Sequence, residues 1–203
     1  MKRIISLAGV AMLAGLGIAG TLHVQQATAP YSATQRQALD SRARLSVLPP
    51  GSYDNHPLEH PLPLHDIQLA NSRLSKGWLA TLDGRPSAVL FQSRTQGYEG
   101  PIDLLIAIGS DARLLGVKTL AQRETPGLGS PIAEEDHPWM RAFRGKSRNE
   151  PTDPGWALKK DRGEFDQLAG ATVTSRAVLQ ATHDALRYFD EQRRELLKES
   201  GDE

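Results

Sequence analysis

The chain has 203 residues, of which 39% are hydrophobic and 24% are charged, enough for one domain with its own core. Lysine plus arginine and aspartate plus glutamate balance at 24 each, so no positive excess points to a nucleic-acid partner. The chain contains no cysteine, which excludes disulfides, cysteine nucleophiles, thiolate zinc sites and ordinary iron–sulfur clusters within it.

The N-terminus carries a long apolar segment. After Lys2 and Arg3, the residues from Ile4 to Val24 include no Asp, Glu, Lys or Arg. A membrane-spanning helix needs about 20 apolar residues, whereas the apolar region of a signal peptide has about 7 to 15. The length therefore predicts a retained anchor within residues 1–25, and the Ala-Thr-Ala sequence at 27–29 leaves signal-peptide cleavage as the alternative. The two cations predict a cytoplasmic N-terminus, with the domain on the periplasmic side of a bacterial inner membrane.

Residues 26–76 are predicted to form a helical stalk and a linker. Helical spacing of apolar residues ends at Pro49-Pro50-Gly51, and a proline-rich segment follows. This segment contains three histidines, His56, His60 and His65. Their spacing raises a metal site as one alternative, but the interleaved prolines exclude a regular helix or a central strand and favour an exposed linker.

From Gly77 onward the pattern becomes that of β-strands. Apolar runs at 78–82 and 88–91 flank Asp83-Gly84-Arg85-Pro86, which predicts a hairpin. A second hairpin is predicted from the apolar runs at 102–108 and 114–120.

The second half of the domain is predicted to be mostly helix and loop. We expect a short helix at 139–143, a polar loop at 144–155, a strand at 156–159 and an amphipathic helix at 176–198. Strands followed by helices predict an α+β fold. The predicted architecture is an N-terminal transmembrane helix, then a compact domain at 77–190 of mainly antiparallel β-hairpins with flanking helices. A polar helix end or tail occupies 191–203.

Two loops are not explained by strand or helix patterns. Glu124-Thr125-Pro126-Gly127-Leu128-Gly129 places two glycines around a leucine, so its backbone can adopt positive φ and approach a ligand closely. Leu168-Ala169-Gly170-Ala171-Thr172-Val173-Thr174-Ser175 places a glycine and three hydroxyls before a long helix. The free N–H groups of a helix start favour a phosphate there. Helix capping by a hydroxyl is the alternative for this second loop.

These loops carry a resemblance to a known family. Gly170-Ala171-Thr172-Val173-Thr174 is similar to the flavinylation motif Ser/Thr-Gly-Ala-Thr-x-Thr/Ser of membrane-anchored FMN-binding subunits. The 124–129 loop resembles a second hallmark of these proteins, and Gly97-Tyr98-Glu99-Gly100-Pro101-Ile102 resembles a third. In order and spacing the chain is most similar to the family of G subunits of the Rnf (Rsx) ion-translocating electron-transport complex. The C subunits of the sodium-pumping NADH:quinone reductase share the motif and form the alternative family.

The resemblance implies both a function and a site. It implies an electron carrier that is not an enzyme on its own, with covalent FMN as its cofactor. In that family the last hydroxyl of the motif forms a phosphodiester with FMN, which here means Thr174, with Thr172 in support. The other implied cofactor residues are Gly170, Ala171, Val173, Glu124, Thr125, Gly127 and Leu128. The implied partners are the other subunits of the Rnf/Rsx membrane complex and a flavin transferase.

Four positions depart from the usual pattern of the family. Ala169 stands where serine or threonine is usual, and Gln122 where histidine is common. Ser130 replaces a frequent aspartate, and Arg162 a frequent glycine. These differences affect the pocket expected around the flavin and leave the linkage intact.

The residues alone leave two other functions open. One is an extracytoplasmic structural or assembly subunit, in which the motif only caps a helix. The other is an enzyme with a small-molecule substrate, whose candidate acids are Asp161, Glu164 and Asp166. The residues also leave open which aromatic side chain contacts a flavin ring, the candidates being Tyr98, Trp139 and Trp156.

Overall fold

The computed structural model describes residue 39 and residues 41–198. The chain divides into two compact units, Met1–Ala43 and Arg44–Glu203. The described residues of the first unit are helical, as are residues 44 and 45 of the second. The predicted membrane anchor and the alternative cleavage site lie outside the described residues. Within the described part, no helix is long and apolar enough to span a membrane.

The second unit is built on one five-stranded antiparallel sheet. Its strands follow the order of the sequence, β1-β2-β3-β4-β5. They are β1 (Ile67–Gln68), β2 (Ser72–Leu82), β3 (Arg85–Gln96), β4 (Pro101–Gly109) and β5 (Leu114–Ala121). The predicted antiparallel α+β fold is confirmed, and both predicted hairpins belong to this single meander.

The β2–β3 hairpin has the turn that its sequence predicts. Asp83 and Gly84 have φ values of 52° and 72°, and two central residues with positive φ match the right-handed twist of paired strands. β2 begins at Ser72, six residues before the predicted start at Trp78. The first six residues of this strand, 72–77, are mostly polar and alternate between buried and exposed positions, and Leu74 is the large apolar side chain among them that enters the main core.

A long helix covers one face of the sheet. The structure has two α-helices in its described part, α1 (Pro138–Arg141) and α2 (Thr172–Leu196), besides the short helical stretch around residue 43. The predicted apolar stripe of α2 is buried, with Val178, Ala181, Ala185 and Phe189 all in the main core. Tyr188 of α2 also meets Phe91 of β3 edge to face, with ring centroids 5.8 Å apart. Burial of each large apolar side chain stabilises the folded state by about 1.5 to 3 kcal/mol relative to leaving it exposed.

The opposite face of the sheet is covered by apolar side chains from residues 45–58. Val47 and Leu48 are buried against Trp78, Leu90 and Leu105, in a second apolar cluster. Both faces of the sheet are therefore protected from water, which explains why β3 and β4 are apolar on both sides.

The proline-rich segment is not the exposed linker that was predicted. Leu62 donates its N–H to the carbonyl of Gly77 at 2.9 Å, and Pro61 forms a β-bridge with Trp78, so the segment lies along β2. Proline is tolerated at such an edge because the residues between the prolines supply the N–H groups. Leu62 and Leu64 pack against the main core. The three histidines of this segment are exposed, and no metal-binding cluster occurs among the described residues.

The predicted strand at 156–159 is wrong. Only Leu158 forms a β-bridge, to Phe165, and the chain then enters a 3-10 turn at Lys159–Asp161. Arg162 follows with a left-handed φ of 71°, so the backbone reverses instead of extending. Glycine would adopt such a φ without strain.

Candidate functional site

Three segments distant in sequence meet at the carboxylate of Glu124. Oε2 of Glu124 accepts from the N–H of Tyr98 at 3.3 Å, and Oε1 accepts from the N–H of Glu99 at 3.2 Å. The hydroxyl of Thr174 also donates to Oε2. Glu124 is only 4% exposed and Thr174 only 1%. The carboxylate thus joins the β3–β4 turn, the 122–130 loop and the first turn of α2.

Two glycines make room for this carboxylate. A Cβ atom on Gly97 would lie 2.6 Å from Ile102 Cδ1 and 3.0 Å from Glu124 Cδ. A Cβ atom on Gly129 would lie 2.8 Å from Glu124 Cβ and 2.9 Å from the Thr174 hydroxyl oxygen. Any side chain at either position would separate the segments that Glu124 joins.

The Glu124–Gly129 loop is closed by its own hydrogen bonds. The carbonyl of Thr125 accepts from the N–H groups of Leu128 and Gly129, both at 3.1 Å. Gly127 has a φ of 74°, as expected from its sequence, and donates its N–H to Ser130 Oγ at 3.0 Å. Ser130 therefore holds the turn at Gly127 through its hydroxyl oxygen. The loop presents Leu128 to solvent, with 45% of its surface exposed.

Helix α2 begins earlier than predicted, at Thr172 instead of Arg176. The three hydroxyl residues of the motif therefore lie inside the first turn and do not precede it. The N-cap is Ala171, which has no oxygen to cap with, and Gly170 before it has a φ of 72°. Ser175 instead accepts from the N–H of Leu168 at 3.0 Å. The hydroxyl-cap interpretation of the motif is therefore wrong.

The start of α2 leaves backbone donors available. Among the described residues, no protein acceptor binds the N–H groups of Thr172, Val173 and Thr174. The N-terminus of a helix also carries a partial positive charge of about one half. The first turn of α2 is therefore suited to bind an anion.

The two threonines of this turn have different surroundings. Thr172 is partly exposed, and its hydroxyl donates to Gln167 Oε1 at 3.2 Å. Thr174 is buried and is held by Glu124. Both threonines line one cavity that lies over this turn.

A cavity of about 340 Å³, here called the motif pocket, lies over this turn. The motif pocket is lined by the first turn of α2, the 124–129 loop and Tyr98. Eight of the nine residues predicted to contact a cofactor line it, namely Glu124, Thr125, Leu128, Gly170, Ala171, Thr172, Val173 and Thr174. The ninth, Gly127, lines the neighbouring cavity.

The neighbouring cavity is larger, about 630 Å³, and is here called the aromatic cavity. It shares Leu128 and Gln167 with the motif pocket. Trp139 and Phe165 supply its aromatic surface, and Lys146 also lines it. Lys146 was not among the predicted site residues, because it lies in a predicted polar loop and no local sequence pattern links it to the motif.

The three aromatic candidates differ in access. Tyr98 is 69% exposed beside the motif pocket, and Trp139 lines the aromatic cavity. Trp156 lines neither cavity and stacks on His183, with ring centroids 5.0 Å apart and planes inclined by 4°. Burial lowers the pKa of His183 below its ordinary value of 6.5, although a hydrogen bond and the charge of Asp153 oppose the shift.

The acids that an enzymatic function would use are engaged or exposed. Asp161 pairs with Arg176, and Asp166 pairs with Lys159, each at 2.7 Å. Glu164 and Asp166 are exposed on the surface. Exposed ion pairs of this kind are ordinary surface features, so the arrangement offers no support for acid–base catalysis.

Comparisons with known proteins identify the family of the chain. Residues 97–187 match the FMN-binding domain family, a span that contains every predicted cofactor residue. The G subunit of the ion-translocating oxidoreductase complex of Pseudomonas aeruginosa is 47% identical over 199 residues, covering 97% of this chain and 92% of the relative. The corresponding G subunit of Cereibacter sphaeroides is 39% identical over 163 residues, covering 80% and 73%. The crystal structure of Shewanella oneidensis NqrC aligns with 61% of each chain, at 24% identity and a TM-score of 0.47. Identity of 47% over almost the whole length shows that this chain belongs to the family of G subunits of ion-translocating oxidoreductase complexes.

Proposed function

We propose that the chain is the electron-carrier subunit of a membrane-bound ion-translocating oxidoreductase complex, and that it carries FMN as a phosphodiester on a threonine of the motif. Family membership and the match to the FMN-binding domain support the carrier role. The observation that carries the attachment is the motif pocket, where available N–H groups and threonine hydroxyls lie at the start of a 25-residue helix.

The residues present fit a phosphate ester. The N–H groups of Thr172, Val173 and Thr174 have no protein acceptor in the described structure, and they lie at the positive end of α2. Gly170 brings the backbone close to Leu128, since a Cβ atom there would lie 2.9 Å from Leu128 Cδ2. Bound FMN supplies the redox chemistry, while these residues bind its phosphate and hold the first turn of α2 in place.

We propose Thr174 as the threonine that carries the phosphodiester, as the family resemblance implies. Thr174 lines the motif pocket at the first turn of α2, beside the available N–H groups. Its hydrogen bond to Glu124 fixes the position of the hydroxyl oxygen. Thr172 also lines the pocket and is partly exposed, so it is the alternative acceptor.

The location and partners follow from the same proposal. The apolar N-terminal segment anchors the chain in the inner membrane, with the flavin domain on the periplasmic side. Covalent attachment keeps FMN from being lost outside the cytoplasm. A flavin transferase attaches the cofactor, and the other subunits of the complex exchange electrons with it.

Alanine variants test the attachment. The full chain, Thr172→Ala and Thr174→Ala would each be expressed with a flavin transferase and viewed by ultraviolet fluorescence after denaturing electrophoresis. We expect a fluorescent wild-type band, a dark Thr174→Ala band and a Thr172→Ala band that retains at least part of the fluorescence. A dark Thr172→Ala band beside a fluorescent Thr174→Ala band would assign the linkage to Thr172. A wild-type band without fluorescence would refute covalent attachment.

A further inference from the structure

We propose that the aromatic cavity holds the isoalloxazine ring of FMN and that Lys146 raises the reduction potential of that ring. The inference rests on the proposed function and specifies where the redox-active part of the cofactor lies. The aromatic cavity and the motif pocket share Leu128 and Gln167, so the two cavities adjoin. A cofactor tethered by its phosphate in the motif pocket can extend past these two side chains into the larger space.

The lining of the aromatic cavity suits a flat ring system with polar edges. Ligand sites for cofactors are mainly apolar, with a few polar groups that fix orientation. Leu128, Trp139, Phe165 and Leu168 give this cavity apolar walls, and Gln167 and Lys146 provide donors. Its volume, about 630 Å³, is nearly twice the 340 Å³ of the motif pocket.

The aromatic wall is held rigidly before any ligand binds. The indole N–H of Trp139 donates to the carbonyl of Asp166 at 2.7 Å. Trp139 meets Phe143 edge to face with centroids 5.1 Å apart, and Phe143 stacks on Phe165 at 5.5 Å. Because these aromatic side chains are already fixed, they can pack against a flavin ring without losing further conformational entropy.

Lys146 is attached to the same wall through its backbone. Its N–H donates to the carbonyl of Phe143 at 3.1 Å, and its carbonyl accepts from the N–H of Leu114 at 2.8 Å. Lys146 Nζ makes no hydrogen bond or ion pair within the part of the chain that the structure describes. The positive charge of Lys146 helps to lower the pKa of Glu150, but Glu150 itself forms an ion pair with Arg113 at 2.8 Å.

The charges around the cavity leave Lys146 as its main cation. Asp166 also lines the cavity, but it is paired with Lys159. His137 uses Nδ1 to accept from the N–H of Trp139. Glu164 lines the cavity as an exposed carboxylate and opposes Lys146. Because reduction adds negative charge to the flavin ring, a nearby cation favours the reduced form and a nearby carboxylate disfavours it.

Reduction potentials of matched charge variants test the proposal. The full-length, FMN-loaded protein would be titrated spectroscopically as wild type, Lys146→Gln, Lys146→Arg and Glu164→Gln. Lys76→Gln serves as the control, since it removes the same charge from an exposed position on β2 that lines neither cavity. We expect a more negative potential for Lys146→Gln, a less negative one for Glu164→Gln, and wild-type values for Lys146→Arg and Lys76→Gln.

Flavin fluorescence gives an independent test of the position of the ring. Trp139→Phe removes an indole from the aromatic cavity, and Trp156→Phe removes an indole that is buried elsewhere. We expect brighter flavin emission from Trp139→Phe alone. A Lys146→Gln variant with the wild-type potential would overturn the proposal. So would a Tyr98→Leu variant that changes the flavin emission while Trp139→Phe does not. Covalent flavin present in these variants would leave the proposed function intact, whereas its absence from the wild type would refute the function itself.

Discussion

The hydroxyl of Thr174 donates to the buried carboxylate of Glu124, and this bond joins the 124–129 loop to the first turn of α2, 50 residues along the chain. Glu124 also accepts from two backbone N–H groups of the β3–β4 turn, those of Tyr98 and Glu99. The carboxylate is therefore a structural centre of the motif pocket. Glu124 thereby fixes the position of the Thr174 hydroxyl within the motif pocket.

Loss of the Glu124 carboxylate should destabilise the domain. Glu124→Ala leaves the donors of Tyr98, Glu99 and Thr174 without an acceptor, and each buried donor left unsatisfied costs about 1 to 3 kcal/mol. We expect a clear fall in the free energy of unfolding, measured by urea denaturation. Glu124→Gln keeps one carbonyl acceptor and should lose less. Equal stability of Glu124→Ala and the wild type would contradict a central role for the carboxylate.

Gly127 should be needed for its backbone conformation and not for space. A Cβ atom there would meet nothing within 4 Å, but φ is 74°. Gly127→Val should therefore cost about 1 to 3 kcal/mol locally and reduce covalent flavin, since a β-branched residue strongly disfavours positive φ. Gly100 has equally open space without a positive φ, so Gly100→Ala and Gly127→Ala form a matched pair. Equal flavin content in the two alanine variants would show that the conformation of this loop does not matter.

The stability of the domain should fall as His183 becomes protonated. Burial lowers the folded-state pKa of His183 below its ordinary value of 6.5, so the unfolded chain takes up the proton first. The free energy of unfolding therefore has its full value, as far as His183 is concerned, above about pH 6.5. It decreases as the pH falls from there to the folded-state pKa. Asp153, Asp184 and Arg187 surround the ring and set the size of the shift. His183→Gln should flatten the dependence of unfolding free energy on pH in that window, and an unchanged slope would refute the assignment.

Replacing Arg162 by the family's usual glycine should stabilise the fold. Arg162 has a φ of 71°, a conformation that costs non-glycine residues about 1 kcal/mol. Arg162→Gly should raise the free energy of unfolding, partly offset by the greater flexibility of glycine in the unfolded chain. Lys160→Gly is the control, because this neighbouring residue is exposed and has an ordinary φ. Stabilisation by both changes, or by neither, would point away from strain at Arg162.

Local sequence patterns predicted the sheet well. The Asp83-Gly84 turn and the apolar runs around it specify a hairpin, because short-range rules govern both. The same rules missed the first six residues of β2, where polar side chains alternate with buried ones. They also missed the docking of the proline-rich segment, since its apolar residues find their partner only in the folded sheet.

The site was predicted from motif resemblance, and its finer geometry depends on tertiary contacts. The 124–129 loop lies beside the motif, as expected, because Glu124 accepts a hydrogen bond from the Thr174 hydroxyl. The start of α2 was misplaced because Ala171, which has no capping oxygen, occupies the N-cap. Lys146 reaches the aromatic cavity only because its backbone is bound to β5 and to the aromatic wall, which no local pattern encodes.

Covalent FMN at the first turn of α2 is most directly tested by the mass of one peptide. Trypsin cleaves after Arg162 and after Arg176, so residues 163–176 form a single peptide that contains the whole motif. We expect this peptide, from protein made with a flavin transferase, to carry the mass of FMN less water, and fragmentation to place that mass on Thr174. The same mass on Thr172 would keep the covalent linkage and contradict the choice of acceptor. An unmodified peptide from flavin-containing protein would contradict covalent attachment itself.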